Sequence, residues 1–412
     1  MILPVEKEKI LWAPNKMPKT GSPESLSLMK ATEIDAALRF HRSFPQYAET
    51  PLVSLARLSD FLGVKGIFVK DESFRFDLNS FKVLGGSYAI AKYAAKVLGR
   101  DISEIDYDTL ISRETRQKLK DITFYTATDG NHGRGVAWAA NRLGQRSVVL
   151  MPKGSSQIRL RNIQSEGAEA EITSLNYDDA VRLASDRASK DPRGVVIQDT
   201  AWEGYSEIPL WIMQGYGTMA SEALMQLNEG GVDKPTHIFV QAGVGSMAGA
   251  VAGYFANLFP SDPPVITVVE ASAAACLYLS NQEGKLTGVK GDLSTIMAGL
   301  SCGEANSISW EILKNYARFF ISVPDWVSAR GMRVLGSPLK GDTRIISGES
   351  GAVTLGLLYT LLNDAAHVDL RKALGIETDS VVLLFSTEGD TDPDKYNDIV
   401  WDGEFSVPQT KE

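Results

Sequence analysis

From Gly66 onward the chain alternates short apolar runs with longer amphipathic ones, and few folds accept that pattern. IFVK from Ile67, FYTAT from Phe124, SVVLMP from Ser147, a run from Glu169 and VVIQDT from Val195 read as strands. So do HIFVQAG from His237, VITVVE from Val265 and VVLLFS from Val381. Bounded by Gly, Pro or charged residues, the apolar runs have the look of parallel strands buried on both faces. Between strands lie helical patterns: SYAIAKYAAKVLG from Ser87, GVAWAANRLG from Gly135, a stretch from about Ser156 to Glu166, and DDAVRLASDRASK from Asp178. This alternation predicts an α/β protein with mainly parallel sheets flanked by helices. In such sheets ligands bind beyond the carboxyl ends of the strands. The residues that follow each strand are therefore the candidates for chemistry.

At 412 residues the chain is long enough for two or three lobes. The first fifty residues, with Pro4, Pro14, Pro18 and Pro23, read as a poorly periodic arm, and the tail after Trp401 as polar and loosely held. A net charge of −9 speaks against a nucleic-acid partner. No apolar run approaches the roughly 20 residues that cross a bilayer, so no membrane partner is expected. The start, MILPVEKEKILWAPNK, has no apolar core followed by a small-residue cleavage site, and a cytoplasmic location is the expectation. Cys276 and Cys302 lie outside a CxxC spacing and have no His neighbours, so no metal site is expected; reduced, mostly buried thiols are the first reading, with a disulfide between them the alternative.

Three motifs sit at strand ends. In NSFKVLGGSYA, from Asn79, Lys82 stands between Phe81 and Val83. Apolar neighbours desolvate a lysine, lower its pKa and make it a nucleophile toward an aldehyde. The following Gly85 and Gly86 let backbone approach something flat or phosphorylated. The bland reading is a lysine snorkelling at a helix start. In TATDGNHGRG, from Thr126, the backbone of Thr128, Asp129, Gly130 and Asn131 at a helix N-terminus suits a carboxylate. Asp129 reads equally as a helix cap, and His132 reads as a capping or buried residue.

The third motif, QAGVGSMAGA from Gln241, places Gly243, Gly245, Ser246, Met247, Ala248 and Gly249 at a helix start, a nest of N–H groups for a phosphate. It also fits the dinucleotide fingerprint G-x-G-x-x-A, with Glu270 ending the next strand where a ribose would lie. That alternative leaves Lys82 and Asn131 without a task.

A lysine motif, an asparagine loop, a glycine-rich loop and a serine near the last strand, in that order, resemble the fold-type-II pyridoxal-phosphate family. Longer strings are similar to its diaminopropionate ammonia-lyase branch: KDESFRFDLNSFKVLGGSYA from Lys70, ATDGNHGRGVAWAA from Ala127, QDTAWEGY from Gln198, IMAGLSCGE from Ile296, RIISGESGA from Arg344 and FSTEGDTD from Phe385. The resemblance covers the chain from about Ser54 to Trp401.

It implies a two-lobed fold, with a large lobe from residues 1–88 and 208–412 and a small lobe from 89–207. Pyridoxal 5'-phosphate would sit in the cleft between them as a Schiff base with Lys82. Asn131 would meet the ring hydroxyl, the Gly243–Gly249 run the phosphate, and Ser386 or Thr387 the pyridine nitrogen. A neutral hydroxyl there moderates the electron sink and favours elimination.

The implied reaction is α,β-elimination of D- and L-2,3-diaminopropionate to pyruvate and two ammonia. Lys82 would take the α-proton of the L-isomer and Asp129 that of the D-isomer. Asp199, at the end of VVIQD, would meet the β-ammonium, or else cap the stretch from Thr200. A homodimer is implied. The alternatives are a serine or threonine dehydratase of the same fold and a non-catalytic cofactor-binding protein. An intact Lys82, Asp129 and Asn131 speak against the second.

Overall fold

The computed structural model describes residues 8–17 and 23–408. Readings that fall on Pro4, Pro18 and the end of the tail lie outside these residues. Eleven strands are present among the described residues: β1 (Leu11–Pro14), β2 (Leu52–Ser54), β3 (Gly66–Asp71), β4 (Thr123–Ala127), β5 (Arg146–Met151) and β6 (Glu169–Ile172), then β7 (Gly194–Val196), β8 (His237–Gln241), β9 (Val265–Ala271), β10 (Ala317–Val323) and β11 (Val381–Ser386). They form two sheets. The larger has the order β1-β10-β9-β8-β11-β3-β2, and the smaller β6-β5-β4-β7. Every pairing is parallel except the two edges of the larger sheet, where β1 and β2 run antiparallel to β10 and β3.

The expected α/β class and parallel sheets are what the chain adopts. The middle strands β8 and β11 are buried at every residue, which explains their unbroken apolar runs. Helices cover both faces of the larger sheet. Glu207–Glu229 and Ser246–Leu258 pack on one another, and Glu349–Asn363 lies against β11 and β8.

Four readings are corrected. The N-terminal arm is built into the fold: β1 extends the sheet, and Asn15 Nδ2 donates to Lys314 O (2.9 Å) and Ala317 O (2.7 Å). Its helix Ala31–Arg42 buries Ile34, Ala37, Leu38 and His41 along one face, a period of three and four over twelve residues. β10 was absent from the predicted strands, although its apolar Phe319–Val323 run ends at Pro324. The helix predicted from Ser87 begins at Lys82. The tail after Trp401 is tied down in part, since Arg333 Nη2 donates to Glu404 O and Lys395 Nζ lies 2.5 Å from Glu404 Oε2.

A buried ionic network also holds the arm. Arg75 donates to Glu72 Oε2 (2.9 Å) and to Glu222 Oε2 (2.6 Å), all three fully buried. Tyr47 OH donates to Glu222 Oε1 (2.8 Å), and Thr50 Oγ1 to Glu72 Oε1 (2.7 Å). Buried charges persist only when paired in this way.

Candidate active site

The carboxyl ends of β4 and β8, the loop after β7 and the segment after β11 converge with the Lys82 helix on one cleft. Lys82 is the first residue of its helix, Lys82–Leu98. The two glycines that follow serve helix packing and not a ligand, contrary to the sequence reading. A Cβ on Gly85 would lie 2.5 Å from Tyr216 Cε1, and one on Gly86 3.3 Å from Val136.

Lys82 Nζ lies 2.6 Å from Asp199 Oδ2. Burial opposes the ammonium charge, but the Asp199 carboxylate, with Tyr216 and Asp129, outweighs burial and holds Lys82 above the ordinary lysine range. The expected lowering of its pKa is therefore corrected. That expectation weighed Phe81 and Val83, and not a carboxylate that lies 117 residues away in the chain.

Asp199 is buried. Burial would raise its pKa, yet Lys82 and then His132 pull it below the usual carboxylate range. The Tyr177 and Tyr216 hydroxyls each stand 3.4 Å from one of its oxygens. Gln198 steadies this group, donating to Tyr177 OH (2.9 Å) and accepting from Ala127 N (2.9 Å). β7 stops at Val196, so Asp199 sits three residues beyond the strand it was expected to end. The next helix starts at Glu207, so Asp199 caps nothing at Thr200.

After β4, helix Asn131–Leu143 has Gly130 as its N-cap at φ +155°, a conformation that suits glycine, and no side chain closes that cap. Asp129 is thus not a cap. Its Oδ2 faces Arg159 Nη1 at 3.5 Å. Thr128 Oγ1 accepts from Gly130 N (2.9 Å). Asn131 Nδ2 donates to Glu388 Oε2, whose other oxygen accepts from Ser350 N (3.0 Å). His132 is buried as expected, with Nε2 2.8 Å from Ile197 O, and burial lowers its pKa.

After β8, the chain turns through Gly245 at φ +93° into helix Ser246–Leu258. The loop is packed tightly from behind: a Cβ would lie 2.9 Å from Gly299 O at Gly243 and 2.5 Å from Ser309 Oγ at Gly249. Gly243, Gly245, Ser246 and Met247 line the cleft, whereas Ala248 and Gly249 belong to the packed helix behind it. A helix start leaves its first N–H groups without helical partners, and they favour an anion. This side-chain-poor cradle fits a phosphate. Ser246 Oγ donates to Asp199 O, which also accepts from Asn306 Nδ2 (3.1 Å), so the cradle and the Lys82 partner are tied together.

Of the two hydroxyls at the end of β11, Thr387, just beyond the strand, lines the cleft and accepts from Gln241 Nε2 (3.1 Å). Ser386 is turned to Ser347 Oγ (2.8 Å). The dinucleotide alternative fails at Glu270, which is fully buried and accepts from the N–H groups of Leu277 (2.8 Å) and Tyr278 (2.7 Å). Burial pushes its carboxyl up to about 8. Cys276 and Cys302 are free and buried, with Cys302 on the cleft wall. Sequence reasoning passed over Tyr177, Gln241, Ser350 and Glu388, all of which line the cleft. Glu388 directly follows Thr387 in the FSTEGDTD string, and that adjacency was the available signal.

Residues 44–387 match the family described as "Pyridoxal-phosphate dependent enzyme". The chain belongs to that family. Among pyridoxal-phosphate enzymes it is 53% identical, over 388 residues, to a diaminopropionate ammonia-lyase of Salmonella typhimurium, covering 93% of this chain and 96% of the relative. It superposes on holo diaminopropionate ammonia-lyase from Escherichia coli with a TM-score of 0.90 and 47% identity, covering 98% and 99% of the two chains. The same Escherichia coli enzyme in complex with an aminoacrylate-PLP azomethine reaction intermediate gives 0.89 and 47%, covering 97% and 99%. The fold is therefore fold type II, and the cofactor is pyridoxal phosphate.

Proposed function

We propose that this pyridoxal-phosphate enzyme eliminates ammonia from D- and L-2,3-diaminopropionate, giving pyruvate and a second ammonia after hydrolysis. The observation that carries the reading is one cleft lined by both Lys82 and Asp129, beside a bare glycine cradle. Its support is a chain 53% identical to a diaminopropionate ammonia-lyase over nearly its whole length.

When bound, pyridoxal phosphate supplies the electron sink that lets an α-proton leave. The chain supplies the rest. Gly243, Gly245, Ser246 and Met247 would hold the phosphate with backbone N–H groups, and Ala248 and Gly249 keep the helix behind them close. Asn131, oriented by Glu388, would meet the ring hydroxyl, and Thr387, in preference to Ser386, the ring nitrogen. Backbone from Thr128 to Asn131 receives the substrate carboxylate and so orients the α-bond. Lys82 carries the cofactor and takes the α-proton of the L-isomer. Asp129 takes that of the D-isomer. Asp199, kept ionised, attracts the β-ammonium of the substrate.

The reading includes the division into residues 1–88 with 208–412 and residues 89–207. The four-stranded sheet built from residues 123–196 supports it. It also includes a homodimer, which light scattering tests, and a cytoplasmic location, which fractionation tests. Among the described residues no helix is long and apolar enough to cross a membrane.

A serine or threonine dehydratase shares every step but the leaving group. Purified protein with pyridoxal phosphate should convert both isomers of diaminopropionate, releasing two ammonia per pyruvate, and turn over serine and threonine far more slowly. Pyruvate from serine at a rate equal to that from diaminopropionate would favour the dehydratase.

A further inference from the structure

Asp129 stands where two cavities meet. Asp129 and Tyr177 line both the cofactor cleft and a second, more open cavity. On that second side a single guanidinium is shared between two carboxylates. Arg159 Nη1 lies 3.5 Å from Asp129 Oδ2, and its Nη2 lies 3.5 Å from Glu349 Oε2. Arg159 comes from helix Gln157–Ser165, which follows β5 of the smaller sheet. Glu349 is the first residue of helix Glu349–Asn363, packed on the larger sheet. The bridge therefore joins elements of both sheets.

The arrangement is built and buried. Arg159 is 6% exposed and Glu349 4%. Gly130 makes the room, since a Cβ there would lie 2.9 Å from Arg159 Cδ. Yet the contacts are loose: among the described residues Asp129 Oδ2 and Arg159 Nε have no hydrogen-bond partner. The charged groups around Glu349 are Arg159, Asp129, Glu388 and Asp392 beyond β11, and Lys395 on helix Pro393–Val400. Burial, with Glu388 and Asp392, pushes the Glu349 carboxyl up to about 7, against the pull of Arg159.

We propose that Arg159 and Glu349 are positioning residues that set how tightly Asp129 is held, and thereby control turnover of the D-isomer separately from the L-isomer. This rests on the reading of Asp129 as the D-face base. While Glu349 is protonated, the Arg159 charge is directed at Asp129, which is drawn toward the second cavity and away from the substrate. Once Glu349 ionises it competes for Arg159, and Asp129 is freed toward the cleft. Turnover of the D-isomer rises with pH through this transition. Turnover of the L-isomer, which relies on Lys82, lacks that limb.

The test compares pH profiles of kcat and KM for both isomers in the holoenzyme and in the Glu349→Gln, Glu349→Asp and Arg159→Met variants, with Asp129→Asn as control. Glu349→Gln should fix the low-pH arrangement. D-isomer kcat above neutrality should fall by roughly tenfold, about 1.4 kcal/mol of barrier, with KM and L-isomer turnover unchanged. Glu349→Asp, which keeps the charge, should restore the limb. Arg159→Met should abolish the limb without lowering D-isomer kcat at low pH. The native-minus-Glu349→Gln infrared difference should show a protonated-carboxyl band below neutrality that titrates near it, separate from the buried Glu270 carboxyl common to both proteins. Parallel changes for the two isomers in Glu349→Gln, or the absence of that difference band, would overturn the proposal. If Asp129→Asn is selective for the D-isomer while Glu349→Gln leaves its profile intact, this inference fails alone. Equal losses in Asp129→Asn remove the two-base reading and this inference with it.

Discussion

Lys82 Nζ lies 2.6 Å from Asp199 Oδ2, a pair that joins the first residue of one helix to the loop following β7. Asp199 is the chief group that outweighs burial and keeps Lys82 charged. Asp199→Asn removes that support and leaves burial acting on the amine, so the Lys82 pKa should fall. Cofactor loading, followed by its visible absorbance band, should then extend to lower pH than in the native protein. Turnover should drop by roughly a hundredfold or more for both isomers, because the anion facing the β-ammonium is gone. An unshifted loading curve would mean that Asp199 does not govern the lysine.

The same pair depends on helix packing. Gly85 faces Tyr216, whose hydroxyl lies 3.4 Å from Asp199. Gly85→Ala would place a methyl 2.5 Å from the Tyr216 ring and 2.6 Å from Ile212 Cγ2. Overpacking of this kind costs about 1–3 kcal/mol, which urea unfolding would register. Turnover should fall as well, because Tyr216 must shift. A variant of native stability and native activity would show that the two helices can part at no cost.

Most parallel strands were legible because strands buried on both faces leave unbroken apolar runs, as in His237–Gln241 and Val381–Ser386, although β10 was not among those predicted. The ends of helices were less so. Gly85 and Gly86 read as room for backbone to approach a ligand, whereas the Lys82 helix uses them for close contact with Tyr216 and Val136. The motif residues Lys82, Asp129, Asn131 and Gly243 could be named from local strings, and the fold brings them to one cleft. Their electrostatics could not be read this way. The state of Lys82 depends on Asp199, 117 residues distant, and the surroundings of Asp129 depend on Arg159 and on Glu349 from an element of the other sheet. No local pattern records such pairings.

His41 should make the fold sensitive to acid. Its Nδ1 lies 2.8 Å from Thr218 Oγ1 and its Nε2 3.0 Å from Leu84 O. Burial, with Arg75 nearby, lowers its pKa from 6.5 to about 3. The unfolded chain therefore binds a proton at His41 below 6.5 that the folded chain refuses until about 3. The stability contributed is present above 6.5 and is lost as pH falls toward 3. Urea midpoints measured across this window should fall more steeply for the native protein than for His41→Gln. Equal slopes would show that the imidazole is not kept neutral.

The central claim is that two bases, Lys82 and Asp129, serve one cleft, each for one enantiomer. Asp129→Asn keeps the size of the side chain and removes its basic oxygen. The deciding measurement is the turnover number of this variant on D- and on L-diaminopropionate. The account predicts a loss of roughly 10²–10⁴-fold on the D-isomer, the usual worth of a positioned base, and less than about tenfold on the L-isomer. Equal losses on the two isomers would contradict it.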